Sequence, residues 1–501
     1  MTTHSNLVAG KWEESKTFFS TAQGDFSIAS DAQVDRAVRT AEQAHQWLAL
    51  ASLEKRKTFL KKIIVTLEEN KDAILSAYLS ESQLPEGRAE GEFTRTTTQI
   101  LRFVEVLSEG NYLKPVIAFS ENAPDLRKVL HPIGPIAVFG ASNFPLAFST
   151  AGGDTISAFA AGCPVIVKAH PYHPKTSYWV AKAIDQAVKK CDFPSGTFSH
   201  LQGAEHRLGR TIVMHSSLKG VGFTGSFTGG KTLYDQAQQR PEPIPVFAEM
   251  GSVNPVLLFP NALKAQKTLP QKLVDSIVLG SGQFCTNPGL LIAYGEKETL
   301  SLFEDQLAKS IQDKAQQPMV HKTIFSNFQS KLKTQQSALK VYGSVAAAIG
   351  VTDATQFLQN PHWGEEVFGP YSLLVKCNQW EEMEAVLHTL GGQLTLSLIG
   401  ETTDQKLIQK LLPLAQKKAG RLLFEGVPTG VAVTQAMMHG GPFPASTDGR
   451  YTAVGTDAIY RWLRPISYQD CPPSLLPPAL QDENPLQLTR KVNGKFTNQP
   501  I

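Results

Sequence analysis

The order of apolar runs between Ile136 and Gly225 constrains this chain more than any other feature. Short runs at Ile136–Gly140, Val165–Lys168, Thr197–Phe198 and Gly220–Gly225 alternate with longer stretches of helical spacing, one of which begins at Thr176. Such βαβα order predicts a mostly parallel sheet, because parallel strands need long crossovers and those crossovers cover both faces. A second alternating set begins at Val253–Phe259 and includes Leu373–Lys376, Leu394–Ile399 and Arg421–Phe424. The predicted fold class is α/β, with two such units facing one another across a crevice. Ligands of parallel sheets bind beyond the carboxyl ends of the strands. In the first unit those ends carry Gly140-Ala141-Ser142-Asn143, Lys168-Ala169-His170 and Gly225-Ser226.

Upstream of the alternation lie four helical stretches. Ser30 and Gln33 form a capping-box pattern that opens a helix through about Leu50, and others are predicted over Leu53–Glu69, Asp72–Leu84 and Arg88–Ser108. From Asn111 to Pro132 the pattern breaks into extended pieces around Pro115 and Pro124, an excursion between two parts of a domain. The tail from Cys471 is proline-rich and polar, and is expected to wrap over a surface or fray. Pro145–Val167 carries a single charge, Asp154, but Gly152-Gly153 and Gly162-Cys163-Pro164 divide it into a small-residue helix and a buried strand, so it is not a membrane span.

Composition excludes several classes of function. At 501 residues, 42% apolar and 19% charged, the chain buries a sizeable core, and its net charge of +3 without a basic run argues against a nucleic-acid partner. Cys163, Cys191, Cys285, Cys377 and Cys471 are odd in number and lack metal spacing, which argues against a disulfide framework or a metal site. With an N-terminus that lacks the order of a signal peptide, the expected location is cytoplasmic.

Five places carry possible chemistry. In Gly282-Gln283-Phe284-Cys285-Thr286-Asn287-Pro288-Gly289 a helical pattern through Leu273, Val274, Ile277 and Val278 stops at a breaker, and Leu290–Ala293 follows as a buried strand. Cys285 sits at that junction, either as a small buried hydrophobe or as a nucleophile. Glu249 ends the apolar run Val246–Ala248, as a general base of raised pKa or as an ion-paired strand-end acid. Asn143 is an oxyanion donor or a turn residue, and Gly225-Ser226-Phe227-Thr228-Gly229-Gly230 is a phosphate-binding helix entry or a plain turn. Glu366, in Glu365-Glu366-Val367-Phe368-Gly369-Pro370, is a site residue or part of a solvated turn.

Taken together, these stretches and the strand end at Lys168 resemble the aldehyde dehydrogenase superfamily, with the motifs in the family's order over about residues 20 to 470. Within it, Gly140–Ser149, Ala151–Thr155, Gly282–Gly289 and His439-Gly440-Gly441-Pro442-Phe443-Pro444-Ala445-Ser446 look like the branch of NADP-dependent 2-oxoglutarate semialdehyde (2,5-dioxopentanoate) dehydrogenases. A bacterial fatty aldehyde dehydrogenase shares nearly all of these strings. The resemblance implies a Rossmann-like cofactor domain (residues 1–112 and 133–245), a catalytic α/β domain (246–440) and a bridging element that joins subunits (113–132 and 455–501). A homodimer or homotetramer is expected.

The roles implied by the resemblance follow residue by residue. Cys285 is the nucleophile, Asn143 with the Cys285 amide holds the oxyanion, and Glu249 activates the hydrolytic water. Lys168 and Glu366 hold ribose hydroxyls of the cofactor, Gly225, Ser226 and Gly230 approach its pyrophosphate, and Phe368 positions the nicotinamide ribose. The family's commoner Lys-Pro-Ser-Glu reads Lys168-Ala169-His170-Pro171 here, so the acid that would repel a 2′-phosphate is missing. NADP is therefore expected to serve at least as well as NAD, with His170 as a further phosphate neighbour. Phe148, Phe284 and Phe443 are expected to line the substrate throat, with small Ala151 and Gly152 widening its mouth for a carboxylate-bearing semialdehyde. No arginine is identifiable as the partner of that carboxylate. A long aliphatic aldehyde is the alternative substrate, and a catalytically silent binding protein of the same fold the alternative class.

Overall fold

The computed structural model describes residues 3–501. Its first helix, Asp31–Leu48, begins at the expected capping box, in which Ser30 and Gln33 satisfy each other's backbone amides. The next three helices are Leu53–Glu69, Lys71–Ser82 and Glu86–Glu109. The last of these stops at Gly110, whose φ of 66° is a left-handed helix end open to glycine.

The predicted parallel unit is a seven-stranded sheet in the order Val246–Glu249, Gly220–Thr224, Ile136–Phe139, Val165–Lys168, Phe198–Leu201, Asn6–Val8, Lys11–Glu13. Its first five strands are parallel, and the N-terminal pair joins antiparallel. The chain enters at Ile136–Phe139, runs outward through two strands, and returns to fill the other side. A switch point therefore lies where the loop Gly140–Asn143 leaves the sheet. The N-terminal strands are three residues each, too short for their alternation to register in sequence. Pro145–Val167 does divide as expected, into the helix Gly153–Ala161 and the strand Val165–Lys168. No helix among the described residues is long and apolar enough to cross a membrane.

The second seven-stranded sheet has the order Lys340–Ser344, Ala347–Asp353, Tyr371–Cys377, Leu290–Tyr294, Val256–Leu258, Gln393–Ile399, Ala419–Phe424, parallel except at the Lys340–Ser344 edge. Ala347–Asp353 has no strand signature, since its Ala-rich run and Gly350 have low strand propensity. Burial on both faces makes it a strand: every residue from Ala347 to Thr352 is buried.

The excursion at 111–132 forms the strands Val116–Ser120 and Ala123–Pro132 of a five-stranded sheet completed by Leu463–Gln469, Arg490–Val492 and Lys495–Thr497. The tail does not fray. Leu480 and Leu488 pack on Ile117 and Val129, and fully buried Arg490 donates to the carbonyls of Asp482 and Gln499. Ala458, Ile459 and Trp462, just before this sheet, sit instead in the core of the first unit, where Trp462 Nε1 donates to Ser157 Oγ at 2.7 Å.

Candidate active site

Local strain turns Cys285 out of the helix that precedes it. Leu269–Val278 is helical, and then Gly280, Ser281 and Gly282 take φ of 56°, 56° and 64°. A Cβ on Gly282 would lie 2.2 Å from the Gly369 carbonyl oxygen, so glycine is required there. Ser281, strained as a non-glycine residue, is held by its hydroxyl donating to the Gln317 carbonyl at 3.0 Å. Asn254 Nδ2 donates to the Cys285 and Asn287 carbonyls at 2.8 and 2.9 Å, fixing the turn that carries the thiol. From the first sheet's switch loop, Asn143 Nδ2 donates to the Gln283 carbonyl at 2.8 Å. That bond ties the two units together one residue from Phe284, and an amide carries two hydrogens, so a second remains for a ligand.

Glu249 ends its strand 4% exposed, aimed at the same place. Between it and Cys285 stands His439, whose role the sequence did not announce although its motif was legible. His439 Nε2 is 2.8 Å from Glu249 Oε1 and 3.3 Å from Cys285 Sγ, and the three side chains bring their ligand atoms within 4.8 Å of one another. The ring is held by its backbone, where His439 N–H donates to Thr452 Oγ1 and its carbonyl accepts from Ala453. Thiol, imidazole and carboxylate in this proximity are also a donor set of the kind that holds zinc. Burial, and then the Glu249 and Glu366 carboxylates, push the Cys285 thiol well above its ordinary range, with Arg95 opposing them.

An aromatic wall flanks the cysteine. Phe144 meets Phe148 at 5.3 Å and Phe284 at 5.4 Å, and Arg88 lies against Phe144 and Phe284 while donating to the Asn143 carbonyl. Phe148 and Phe284 thus fall where a throat would be. Phe443 stands apart, 55% exposed and in contact with Phe227. Ala151 and Gly152 are small for a reason other than the one expected: Ala151 is packed into the core, and a Cβ on Gly152 would lie 2.7 Å from the Ala147 carbonyl oxygen.

The residues expected around a dinucleotide line the carboxyl ends of the first sheet. Ser226 caps the helix Phe227–Gln238 by accepting from Gly229 N–H, and Gly230 leaves room for Met250, whose sulfur would lie 2.7 Å from any added Cβ. Glu366 reaches over Gly251, where a Cβ would lie 2.4 Å from its Oε2, and burial raises its carboxyl to about 7. Phe368 is half-buried before Gly369, itself crowded by the Phe328 ring. Lys168 ends its strand with no carboxylate in ion-pair range among the described residues, and burial lowers it to about 8. A half-buried lysine without an ion-pair partner and a capped helix entry fit the hydroxyls and phosphates of a dinucleotide. His170 stacks on His173 at 5.3 Å, accepts from Tyr172 N–H, and is kept neutral by burial and by His173 and Lys168, so it offers a phosphate no charge.

The chain is 43% identical over 488 residues to alpha-ketoglutaric semialdehyde dehydrogenase 2 of Azospirillum brasilense, covering 94% of this chain and 93% of the relative. It is 41% identical over 491 residues to alpha-ketoglutaric semialdehyde dehydrogenase of Acinetobacter baylyi, with the same coverage. Among solved structures, 1-pyrroline-5-carboxylate dehydrogenase from Thermus with bound NAD superposes with a TM-score of 0.79 at 17% identity, covering 93% of this chain and 92% of that one. Apo betaine aldehyde dehydrogenase from Staphylococcus aureus gives 0.80 at 17% identity, over 94% and 96%. Residues 13–389 match the model of the aldehyde dehydrogenase family, and on this match and its relatives the chain belongs to that family.

Proposed function

We propose that this protein oxidises 2-oxoglutarate semialdehyde to 2-oxoglutarate, with NADP used at least as well as NAD. The observation that carries the reading is the convergence of Cys285 Sγ, His439 Nε2 and Glu249 beside the rings of Phe148 and Phe284, in a chain more than two-fifths identical to relatives named for that substrate. Residues 1–112 and 133–245 serve as the cofactor domain, 246–440 as the catalytic domain, and the five-stranded sheet as the element that joins subunits of a homodimer or homotetramer.

An aldehyde cannot release hydride until it becomes a tetrahedral alkoxide, and Cys285 makes that adduct by adding its thiolate to the carbonyl carbon. The thiol proton has a nearby acceptor, since His439 and Glu249 stand beside Sγ. Asn143, with its remaining amide hydrogen, and the Cys285 backbone N–H hold the oxygen that becomes negative, where one such donor is worth about 3 kcal/mol. The dinucleotide supplies the hydride acceptor when bound, held by Lys168, Gly225, Ser226, Gly230, Glu366 and Phe368. Glu249 then takes a proton from water and directs it at the Cys285 thioester, releasing the acid and the thiol. NADP is favoured because Pro171 stands where an acid would repel the 2′-phosphate and Lys168 lacks a carboxylate partner. Like charges about 4 Å apart at an effective dielectric of about 20 are worth roughly 4 kcal/mol, enough to decide between cofactors.

The test is the specificity constant for 2-oxoglutarate semialdehyde, succinic semialdehyde, hexanal and decanal, each with NADP and with NAD. The expected order has 2-oxoglutarate semialdehyde first and NADP at or above NAD. A lead of decanal by about tenfold, 1.4 kcal/mol in the transition state, replaces the substrate reading, and the same lead of NAD replaces the cofactor reading.

A further inference from the structure

Two arginines beside the throat lack the partners that buried cations require. Arg95 projects from the helix Glu86–Glu109 onto the Phe148 ring, 5.6 Å from its centroid, and Phe148 in turn lies 6.1 Å from the His439 ring. Arg421 projects from the strand Ala419–Phe424. Both donate to one loop: Arg95 Nη1 to the Val431 carbonyl at 2.6 Å, Arg421 Nη1 to the adjacent Gly430 carbonyl at 3.1 Å, and Arg421 Nη2 to the Pro428 carbonyl at 2.8 Å. Neighbouring carbonyls of one loop thus hold two arginine side chains that come from separate units of the fold. Each keeps a buried Nε with no hydrogen-bond partner, and neither has a carboxylate within ion-pair range among the described residues. Glu92, one turn from Arg95, is already engaged by the Leu146 and Ala147 amides and by Tyr78. Arg88, by contrast, is occupied by Glu92 and two aromatic faces.

A partly buried guanidinium without an anion carries a desolvation cost that a well-placed carboxylate offsets, and a planar fork is suited to receive one. Arg95 meets the site through Phe148, whose ring neighbours His439, and Arg421 holds the same loop, so the anion they await lies on a molecule bound beside the thiol. Beside Gly430 an added Cβ would meet nothing within 4 Å, so the loop between the arginines borders open space.

We infer that Arg95 and Arg421 bind the carboxylate at the far end of the aldehyde substrate and so select a short carboxylate-tipped semialdehyde over an uncharged aldehyde of equal length. This rests on the proposed aldehyde oxidation and supplies the specificity residues that the motif stretches lacked. The carbonyl bonds alone would make these arginines clamps for the 428–431 loop, and the experiment separates that role from recognition.

Arg95→Gln, Arg421→Gln and the two Lys variants are assayed with 2-oxoglutarate semialdehyde and with pentanal, both five carbons long. The readout is the ratio of their kcat/KM values. Either Gln variant is expected to lower that ratio on the order of a hundredfold, mainly through the KM of the acid, with partial rescue by Lys. A ratio unchanged within about threefold in both Gln variants, however slow the enzyme, makes the arginines loop clamps and overturns the inference. Calorimetric titration with glutarate needs no turnover. Binding to the wild type that weakens by about tenfold or more in both Gln variants supports the carboxylate site even should aldehyde oxidation fail, and absent or equal binding overturns it.

Discussion

Replacing Glu249 by Gln removes one charge beside Cys285 while keeping the shape of the side chain. The ligand atoms of Glu249, His439 and Cys285 lie within 4.8 Å. At that separation and an effective dielectric of about 20, two unit negative charges oppose each other by about 3.5 kcal/mol. His439 stands between them, 2.8 Å from Glu249 Oε1 and 3.3 Å from Cys285 Sγ. The thiol midpoint of Glu249→Gln is therefore expected to fall, yet to remain above that of a free cysteine because burial is the larger cause. The assay is the rate of alkylation of Cys285 by iodoacetamide from pH 6 to 11, followed by mass, in wild type and variant. Stability carries the same sign. A thiol raised on folding keeps its proton longer than in the unfolded chain, so its contribution is complete below the unfolded value and is lost as pH rises above it, less steeply in the variant. A midpoint that stays in place or moves upward would refute the reasoning, because the Glu249 carboxylate would then exert no field on the thiol.

Lys168 is lowered to about 8 by burial, so its charge is present below that pH and lost above it. NADP affinity is expected to weaken from pH 7 to 9.5 in fluorescence titrations, and Lys168→Met to flatten the profile; a flat wild-type profile removes Lys168 from the phosphate site. Trp462→Ala empties a fully buried site between Ser157 and Phe247 and should cost about 3–5 kcal/mol, read as a lowered denaturant midpoint. A loss under about 1 kcal/mol would mean that this junction contributes little to the first core.

What the sequence determined by itself was local and periodic. The capping box at Ser30, the break of Pro145–Val167 into helix and strand, the parallel strands and the placement of Cys285, Glu249 and Asn143 near strand ends all depend on neighbours within a few residues. Burial patterns and turn chemistry write such features directly into the chain. Tertiary structure decided the rest, because it depends on residues far apart in sequence. Ala347–Asp353 is a strand only because two layers bury it, and the polar tail is ordered only because Arg490 and Leu480 meet a sheet begun more than 300 positions earlier. Ala151 and Gly152 are small because the chain packs back on itself. His439, Arg95 and Arg421 carry no local signal of their roles: each reaches the thiol's surroundings from a different element, and a charge is recognised as unpaired only once every partner it might have had is placed in space.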